Sequence, residues 1–571
     1  MRKPLLLFIL PLITGMAAPQ EAPNKLDNPQ KWGIGSKVDN FAFQTLGGEK
    51  GILSDYLPAV LAFTAVDCPL AKLYRPRINR LEEEYKKKGI RFLYIYCDFE
   101  DKPVTAQNNI PSIHDREGIL TRLLLAKRTT DVFLIDENRI LRYRGAIDDQ
   151  YGIGYKLDRP RKTYLTDAID SILLNKPISV PATEAPGCPI QLEPVVKAPD
   201  QVTFYRDVLP ILQKNCQSCH RPGEIGPFPL MSYNQVRRRA RRVQEAVNEK
   251  RMPPWFANDI HGTWKNDARL SQREIDSINT WIKNGTPEGK ESDAPPSPTF
   301  INGWQIGEPD FVFSMRRKTR IPAEGIIPYR HYSVKTNFKE DRWIQAIEVR
   351  PGDPKVVHHI LVFDRAPGEK QKFLGGLKGF FGGMVPGTKP ITFQKGYAKK
   401  LKAGSTLIFQ MHYTPIGEER WDQSKIGLIF AKEPVRHEVK TTGISTRKLQ
   451  IPPHEGNHRE EATYHFKKEA RIYRFLPHMH VRGKSFRYEA IYPDGRREIL
   501  LDIPKYDFNW QLSYELEAPL LVPPGTKILA TATFDNSEAN PANPDPNATV
   551  RFGPQTFDEM LIGYFDYTET P

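Results

Sequence analysis

The sequence predicts a multidomain chain with three successive textures: α/β over residues 30–180, all-α over 201–295, and all-β from 298 to 571, with a boundary at 435/436 between two β units. Three observations lead there. At 571 residues the chain is too long for one hydrophobic core. Fifty prolines and many Pro-Gly and Asp-Gly turns favour β-rich architecture over a helical bundle. Apolar spacing changes from mixed strand and helix periods, to helical, to strict alternation along the chain.

Hydrophobic residues at 39% and charged residues at 26% describe a folded globular protein. The net charge of +14 is dispersed among 68 acids, which argues against a nucleic-acid partner. The one dense cluster, Arg237, Arg238, Arg239, Arg241 and Arg242, surrounds much of a helix and reads as a solvated face, with a haem propionate contact as a lesser option. At the N-terminus, Arg2 and Lys3 precede an apolar run from Leu5 to Ile13 and then Gly15 to Ala18, the layout of a signal peptide over residues 1–18. That run is too short to span a bilayer and no cysteine follows for lipidation, so a periplasmic or secreted protein without a stable membrane anchor is expected.

Between Trp32 and Pro177, Ala59 to Ala65 reads as a strand, Leu73 to Lys88 as an amphipathic helix and Ile90 to Cys97 as a second strand. Asp131 to Asp136 with Ile140 to Arg144 reads as a hairpin. The order of strand, Asp67-Cys68-Pro69 turn, long helix, strand and Val132-to-Asp136 strand resembles the thioredoxin-like redoxins and peroxiredoxins. That resemblance makes Cys68 a possible redox thiol, since a thiolate at a helix N-terminus is stabilised by backbone N–H groups. Two positions depart from the family pattern: Ala71 stands where a second cysteine would be, and Thr130 where a cis-proline would be. A structural or docking role therefore stands beside thiol chemistry, and Cys188 is a candidate resolving partner. Residues 181–200 read as a proline-rich linker.

In the all-α segment, Phe204 to Lys214 forms an amphipathic helix leading into Cys216-Gln-Ser-Cys219-His220, followed by a Gly/Pro loop and two further helices. Two thiols at this spacing can add to the vinyl groups of a haem, with His220 as proximal iron ligand; a CxxC redox pair or half a zinc site are the alternatives. Helix, motif, loop and helices together resemble a small class I cytochrome c. By that resemblance the sixth ligand is a methionine, for which Met252 in Arg-Met-Pro-Pro-Trp255 is the best match and Met231 the runner-up. Trp255 is expected at the haem edge, and core packing is the other reading of Met252.

The β region holds ten of the chain's thirteen histidines and no cysteine. His358 and His359 sit in the middle of one strand, and His412 follows Gln-Met in another. His478 and His480, at i and i+2, share one strand face. Adjacent His358 and His359 would normally point to opposite faces, so joint metal binding requires a bulge. Met560 is expected on the last strand. A surface His pair is the ordinary reading of each motif alone. Taken in order, they resemble the type II, ascorbate-dependent copper monooxygenases that hydroxylate peptidylglycine and dopamine, over most of Trp304 to Tyr567. That resemblance implies a double sandwich of jelly-roll type and two copper ions. His358, His359 and His412 would hold one as an electron-transfer site. His478, His480 and Met560 would hold the other, where O2 meets substrate, with Tyr564 retained beside it. A thioether favours Cu(I). Leu476 and Ile562 replace the arginine and asparagine of the peptide-amidating members, so a more apolar or neutral small molecule is the expected substrate.

The function expected is thus an exported copper monooxygenase acting on a small substrate with O2. Electrons would come from ascorbate or a periplasmic redox protein, relayed through a covalent haem c. An electron-transfer or copper-binding protein without hydroxylase activity is the alternative, and a thiol peroxidase centred on Cys68 a third reading.

Overall fold

Five strands and a long helix build the first unit of the computed structural model, which describes residues 23–98, 110–192, 202–301, 303–369 and 379–570; the expected signal peptide lies outside them. Strands β1 (Ala59–Thr64), β2 (Arg91–Tyr96), β3 (Ser112–His114), β4 (Val132–Ile135) and β5 (Leu141–Gly145) form one sheet in the order β3-β2-β1-β4-β5. β1 to β3 run parallel, and β4 and β5 form the antiparallel hairpin that the alternation predicts. Helix α1 (Pro69–Tyr85) begins directly after Cys68 with a proline in its first turn, where a missing N–H costs nothing. Its Ala71, Tyr74, Ile78, Leu81 and Tyr85 recur at three- and four-residue spacing and are buried against the sheet.

Residues 181–192, expected as linker, are packed onto this unit instead. Ala182, Thr183 and Ile190 are buried; Thr183 N–H donates to the Arg144 carbonyl, and Arg144 N–H donates to the Pro181 carbonyl. Proline-rich composition here marks an edge-hugging strap and not a solvated tether: its amides bond to Arg144 on β5, to Asn24, to Thr129 and Lys127 ahead of β4, and to Asp98.

The second unit is a small helical segment: α2 (Leu209–Asn215), α3 (Tyr233–Arg237), α4 (Ala240–Asn248) and α5 (Gln272–Lys283) around Phe204, Leu212, Val236 and Trp281. A Ser271–Glu274 capping box starts α5. The arginine cluster departs from expectation. Arg239 and Arg242 are buried and pair with Asp67 and Asp98 of the α/β unit, so part of this helix is an interface and not a solvated face.

The remaining chain is mostly β. Strands β6 (Phe311–Ser314), β7 (Arg330–Lys335), β8 (Arg342–Arg350), β9 (Val357–Arg365), β10 (Phe380–Met384), β11 (Tyr397–Leu401), β12 (Thr406–Tyr413) and β13 (Lys425–Phe430) make two sheets. Their orders are β6-β13-β8-β11, with two short strands added, and β7-β12-β9-β10. Ile344, Ile347 and Leu428 of the first meet Ile360, Val362 and Phe409 of the second in one core. Strands β14 (Lys440–Ser445), β15 (His458–His465), β16 (Ala470–His478), β17 (Gly483–Ile491), β18 (Arg497–Ile503), β19 (Tyr514–Val522), β20 (Lys527–Phe534) and β21 (Ile562–Glu569) repeat the arrangement as β14-β21-β16-β19 facing β15-β20-β17-β18. Phe475 and Phe565 meet Tyr488 and Ala530 across that second core.

Trp255 and Trp264, from the stretch between α4 and α5, also belong to this second core. Trp255 meets Tyr514 edge-on at 4.9 Å and so packs on the β19 strand. The two β halves are tied by a buried charge network: Asp566 on β21 pairs with Arg474 on β16 and lies 3.9 Å from Lys399 on β11. Burial would raise the Asp566 carboxyl, but Arg474 and Lys399 outweigh it and hold the group below its ordinary range. Asp566→Ala leaves two buried cations unpaired and is expected to cost about 3–5 kcal/mol in chemical denaturation.

Candidate functional site

The strand pairing of β9 and β12 slips by one residue between Val357 and His359, and His359 lies directly opposite His412. This is the bulge that the adjacent histidines require: it turns His358 onto the side occupied by His359. The His358 and His359 Nδ1 atoms face each other at 3.1 Å. The ring of His412 lies 4.8 Å from that of His358 and 4.9 Å from that of His359, centre to centre. One nitrogen from each of the three rings falls within 4.8 Å of the others, a set able to hold a metal ion. The His412 Nδ1 is buried with no hydrogen-bond partner. An orphan buried nitrogen of this kind costs free energy unless a cation or proton donor meets it.

The second histidine pair stands at the end of β16, and its geometry follows from register. His478 is opposite Ile562 and Leu476 opposite Tyr564 in the β16–β21 pairing. The pairing ends at that step, and Glu559, next to Met560, bonds the His480 backbone N–H, which brings the two segments together beyond the strand. Met560 is therefore not on the last strand, as expected, but in the extended residues just ahead of it. It packs beside Leu361 and Phe363 of the first β half. Met479, between the histidines, points the other way into the second core.

Outer contacts orient the rings. His478 Nδ1 donates to the Gln511 side-chain oxygen at 2.6 Å, and His480 Nδ1 donates to the Asp558 carbonyl at 3.1 Å. With Nδ1 so occupied, the lone pair of each ring sits on Nε2, and the His480 Nε2 is buried and unpartnered. The Glu559 carboxylate accepts from the backbone N–H groups of His480 (2.9 Å), Arg482 (2.7 Å) and Met560 (3.1 Å), and so clasps both candidate ligands. Burial raises the Glu559 carboxyl to about 7. Burial pushes His358 and His478 down to about 4 and His480 to about 3, while His359 and His412 are held well below the ordinary range by burial and mutual repulsion. All five rings are thus neutral, the form in which imidazole binds metal.

Tyr329 and Phe508 connect the two sets. The Tyr329 ring lies 4.9 Å from His412 and 6.2 Å from His480; Phe508 lies 5.7 Å from His412 and 6.2 Å from His480. A cleft lined by Leu361, Phe380, Leu476 and Tyr564 leads down to His478 and Gln511. Tyr564 is buried and stacks on Phe380 at 5.2 Å, and burial keeps its phenol protonated. Gln511, Glu559, Tyr329 and Phe508 escaped the sequence reading. Glu559 adjoins Met560 and was within reach of it, whereas the other three are isolated positions whose relevance exists only in the fold.

In the helical segment, Gly226 N–H donates to the Cys219 carbonyl at 3.0 Å, and a side chain at Gly226 would strike that oxygen and the His220 ring. His220 Nδ1 donates to the Phe228 carbonyl at 3.0 Å, which leaves Nε2 with the lone pair. Among the described residues, Cys216, Cys219 and His220 do not converge as a shared metal set. Burial raises the Cys216 thiol to about 12 and also raises Cys219, which disfavours a redox dithiol. Met252 follows α4 and donates its N–H to the Ala246 carbonyl at 3.1 Å, while the Met231 N–H donates to Gln235.

Cys68 is buried at the N-terminus of α1 with its sulfur 2.8 Å from that of Cys188, so the candidate resolving cysteine does lie beside it. Residues 34–144 match the AhpC/TSA family model, and the chain contains a thioredoxin-like redoxin domain there. Among solved structures, the chain is similar to a hypothetical protein of Sinorhizobium meliloti at 23% identity, covering 30% of this chain and 98% of that one, with a TM-score of 0.26. It is also similar to an uncharacterized conserved protein of Geobacillus kaustophilus (22% identity, 32% and 100% covered, TM-score 0.25) and to the peroxidoxin BcpB of Mycobacterium tuberculosis (19%, 25% and 94%, 0.19). No curated protein matches the chain.

The depressed histidines predict a pH dependence. A ring whose proton affinity falls on folding stabilises the folded chain above its unfolded value of about 6.5, and that stability is lost as pH drops toward the folded value. For His358 and His478 that folded value is about 4. The melting temperature of metal-stripped protein is therefore expected to fall between pH 6.5 and 4 in calorimetry, and His478→Gln should flatten the fall.

Proposed function

We propose that this chain is an exported copper-dependent monooxygenase that hydroxylates a C–H bond of a small, largely apolar substrate with O2, drawing electrons through a covalently attached haem c. The observation that supports the reading is the cluster of His358, His359 and His412, with one nitrogen of each within 4.8 Å of the others, together with buried, unpartnered ring nitrogens on these three residues and on His480. The donor set fits copper: three imidazoles on one side, and two imidazoles with the Met560 thioether on the other. Copper bound there would supply one-electron redox chemistry and an open position for oxygen.

The chain's own residues divide the remaining work. Gln511 and the Asp558 carbonyl hold His478 and His480 in one tautomer, and Glu559 fixes the backbone of His480 and Met560. Tyr329 and Phe508 exclude water between the two sets. Leu361, Phe380, Leu476 and Tyr564 bind the apolar body of the substrate at the cleft leading to His478. Leu476 adds apolar surface to that cleft, whose Arg474 is engaged by Asp566 and whose Lys389 stands at its lining. Cys216 and Cys219 would form the thioether bonds to haem, His220 would ligate its iron through Nε2, and Met252 is the proposed sixth ligand. Ascorbate or a periplasmic redox protein would be the external donor.

One observation favours a second reading, an electron-transfer or copper-binding protein without hydroxylase activity: aromatic rings rather than open space separate the two histidine sets. Oxygen uptake by the reduced, copper-loaded full chain separates the two. Uptake stimulated by neutral apolar substrates and reduced at least tenfold in His480→Ala is expected. Uptake equal to that of the variant across the substrates tried leaves the second reading. Metal analysis of the exported protein is expected to give two coppers and one haem per chain, with covalent haem lost in Cys219→Ala.

A further inference from the structure

The Cys68–Cys188 pair is outside the histidine chemistry, and Cys188 lies beyond the residues that match the redoxin family model. The strap carrying Cys188 is laced to the loop ahead of β4. Cys188 N–H donates to the Thr129 hydroxyl at 3.0 Å, Thr129 N–H to the Cys188 carbonyl at 2.9 Å, and Ile190 N–H to the Lys127 carbonyl at 3.0 Å. Helix α4 closes over the pair. Arg239 pairs with Asp67, the neighbour of Cys68; Arg242 pairs with Asp98; Arg241 N–H donates to the Gln191 side chain at 3.1 Å; and Arg128 pairs with Glu245 at 2.6 Å. Cys68 is fully buried and Cys188 is partly exposed.

We propose that Cys68 and Cys188 form a thiol–disulfide switch that sets how firmly α4, and with it the Cys216-to-His220 segment, is held on the thioredoxin-like domain. The two sulfurs are already in contact, and the exposed one can meet a small reactant while the buried one closes the ring. Burial acts to raise the Cys68 thiol, yet the hydrogen bond from Cys188 and the Arg242 charge outweigh it and favour the thiolate; Cys188 is shifted up by that same hydrogen bond and by burial. With a low-molecular-weight disulfide RSSR as oxidant, Cys188 loses its proton and displaces RS⁻ to form the mixed disulfide. The Cys68 thiolate then attacks the Cys188 sulfur and releases the second RS⁻. The net change converts one thiolate, one thiol and RSSR into the Cys68–Cys188 disulfide, RS⁻ and RSH. Oxidation removes the Cys68 charge from beneath the seam where Arg239 pairs with Asp67, the neighbour of Cys68, and Arg242 with Asp98. The helix is then held less firmly.

The test uses the full chain equilibrated in glutathione buffers of increasing oxidised fraction. Peptide mass spectrometry is expected to find a Cys68–Cys188 linkage that also forms in Cys97→Ser. Amide exchange across residues 240–248 should quicken by about tenfold on oxidation, the equivalent of one pKa unit, and Cys188→Ser should abolish the redox dependence. Absence of the linkage at every glutathione ratio, or a linkage with unchanged exchange in α4, overturns the proposal. Neither measurement depends on copper, so the result stands apart from the fate of the monooxygenase reading.

Discussion

Four imidazole nitrogens, on His358, His359, His412 and His480, are buried without a hydrogen-bond partner, and the surrounding structure has to bear that cost. At about 1–3 kcal/mol for each unsatisfied polar atom, the total rivals the net stability of a domain. Around the second pair, several neighbouring groups are satisfied. Gln511 and Asp558 bind the opposite nitrogens of the second pair, Glu559 takes three backbone amides, and Arg482 is tied to Asn536 and the Phe557 carbonyl. The rings of that pair are thus held in place by bonds made on their far side and along the backbone.

That constraint explains features of the β region that have no other evident purpose. A bulge interrupts β9 at the histidines, although its pairing with β12 otherwise runs in regular register from His359 to Arg365. The β16–β21 pairing ends at His478 and Ile562, and beyond it the Glu559 carboxylate holds the His480 backbone. The two β halves meet through Phe380 and Tyr564 and through the Lys399, Arg474 and Asp566 network, so the two histidine sets, one from each half, are kept in a fixed relation.

The arginine helix has a comparable place at the other end of the chain. Its charges read as solvated because sequence spacing records only where residues lie on a helix, not what the helix rests upon. Asp67 and Asp98, distant in sequence, turn Arg239 and Arg242 into buried partners. The strap from 181 to 192 was obscured in the same way: its prolines suggested a tether, while the partners of its amides lie far earlier in the chain, at Asn24, Asp98, Lys127, Thr129 and Arg144.

The sequence by itself determined many of the elements and where the candidate groups lie along them. Period-two alternation, Cys68 ahead of a helix, the Cys216-to-His220 motif and the ordered histidine groups are local patterns, and local patterns follow from backbone geometry. It also identified the need for a bulge at His358 and His359, because adjacent residues of a strand face opposite ways. Tertiary structure alone decided which of these groups meet. The closeness of Cys68 and Cys188, the aromatic rings between the histidine sets, the clasp of Glu559 and the move of Trp255 into the second β core all depend on packing between distant segments. Such contacts arise from burial and long-range register, which no window of sequence contains.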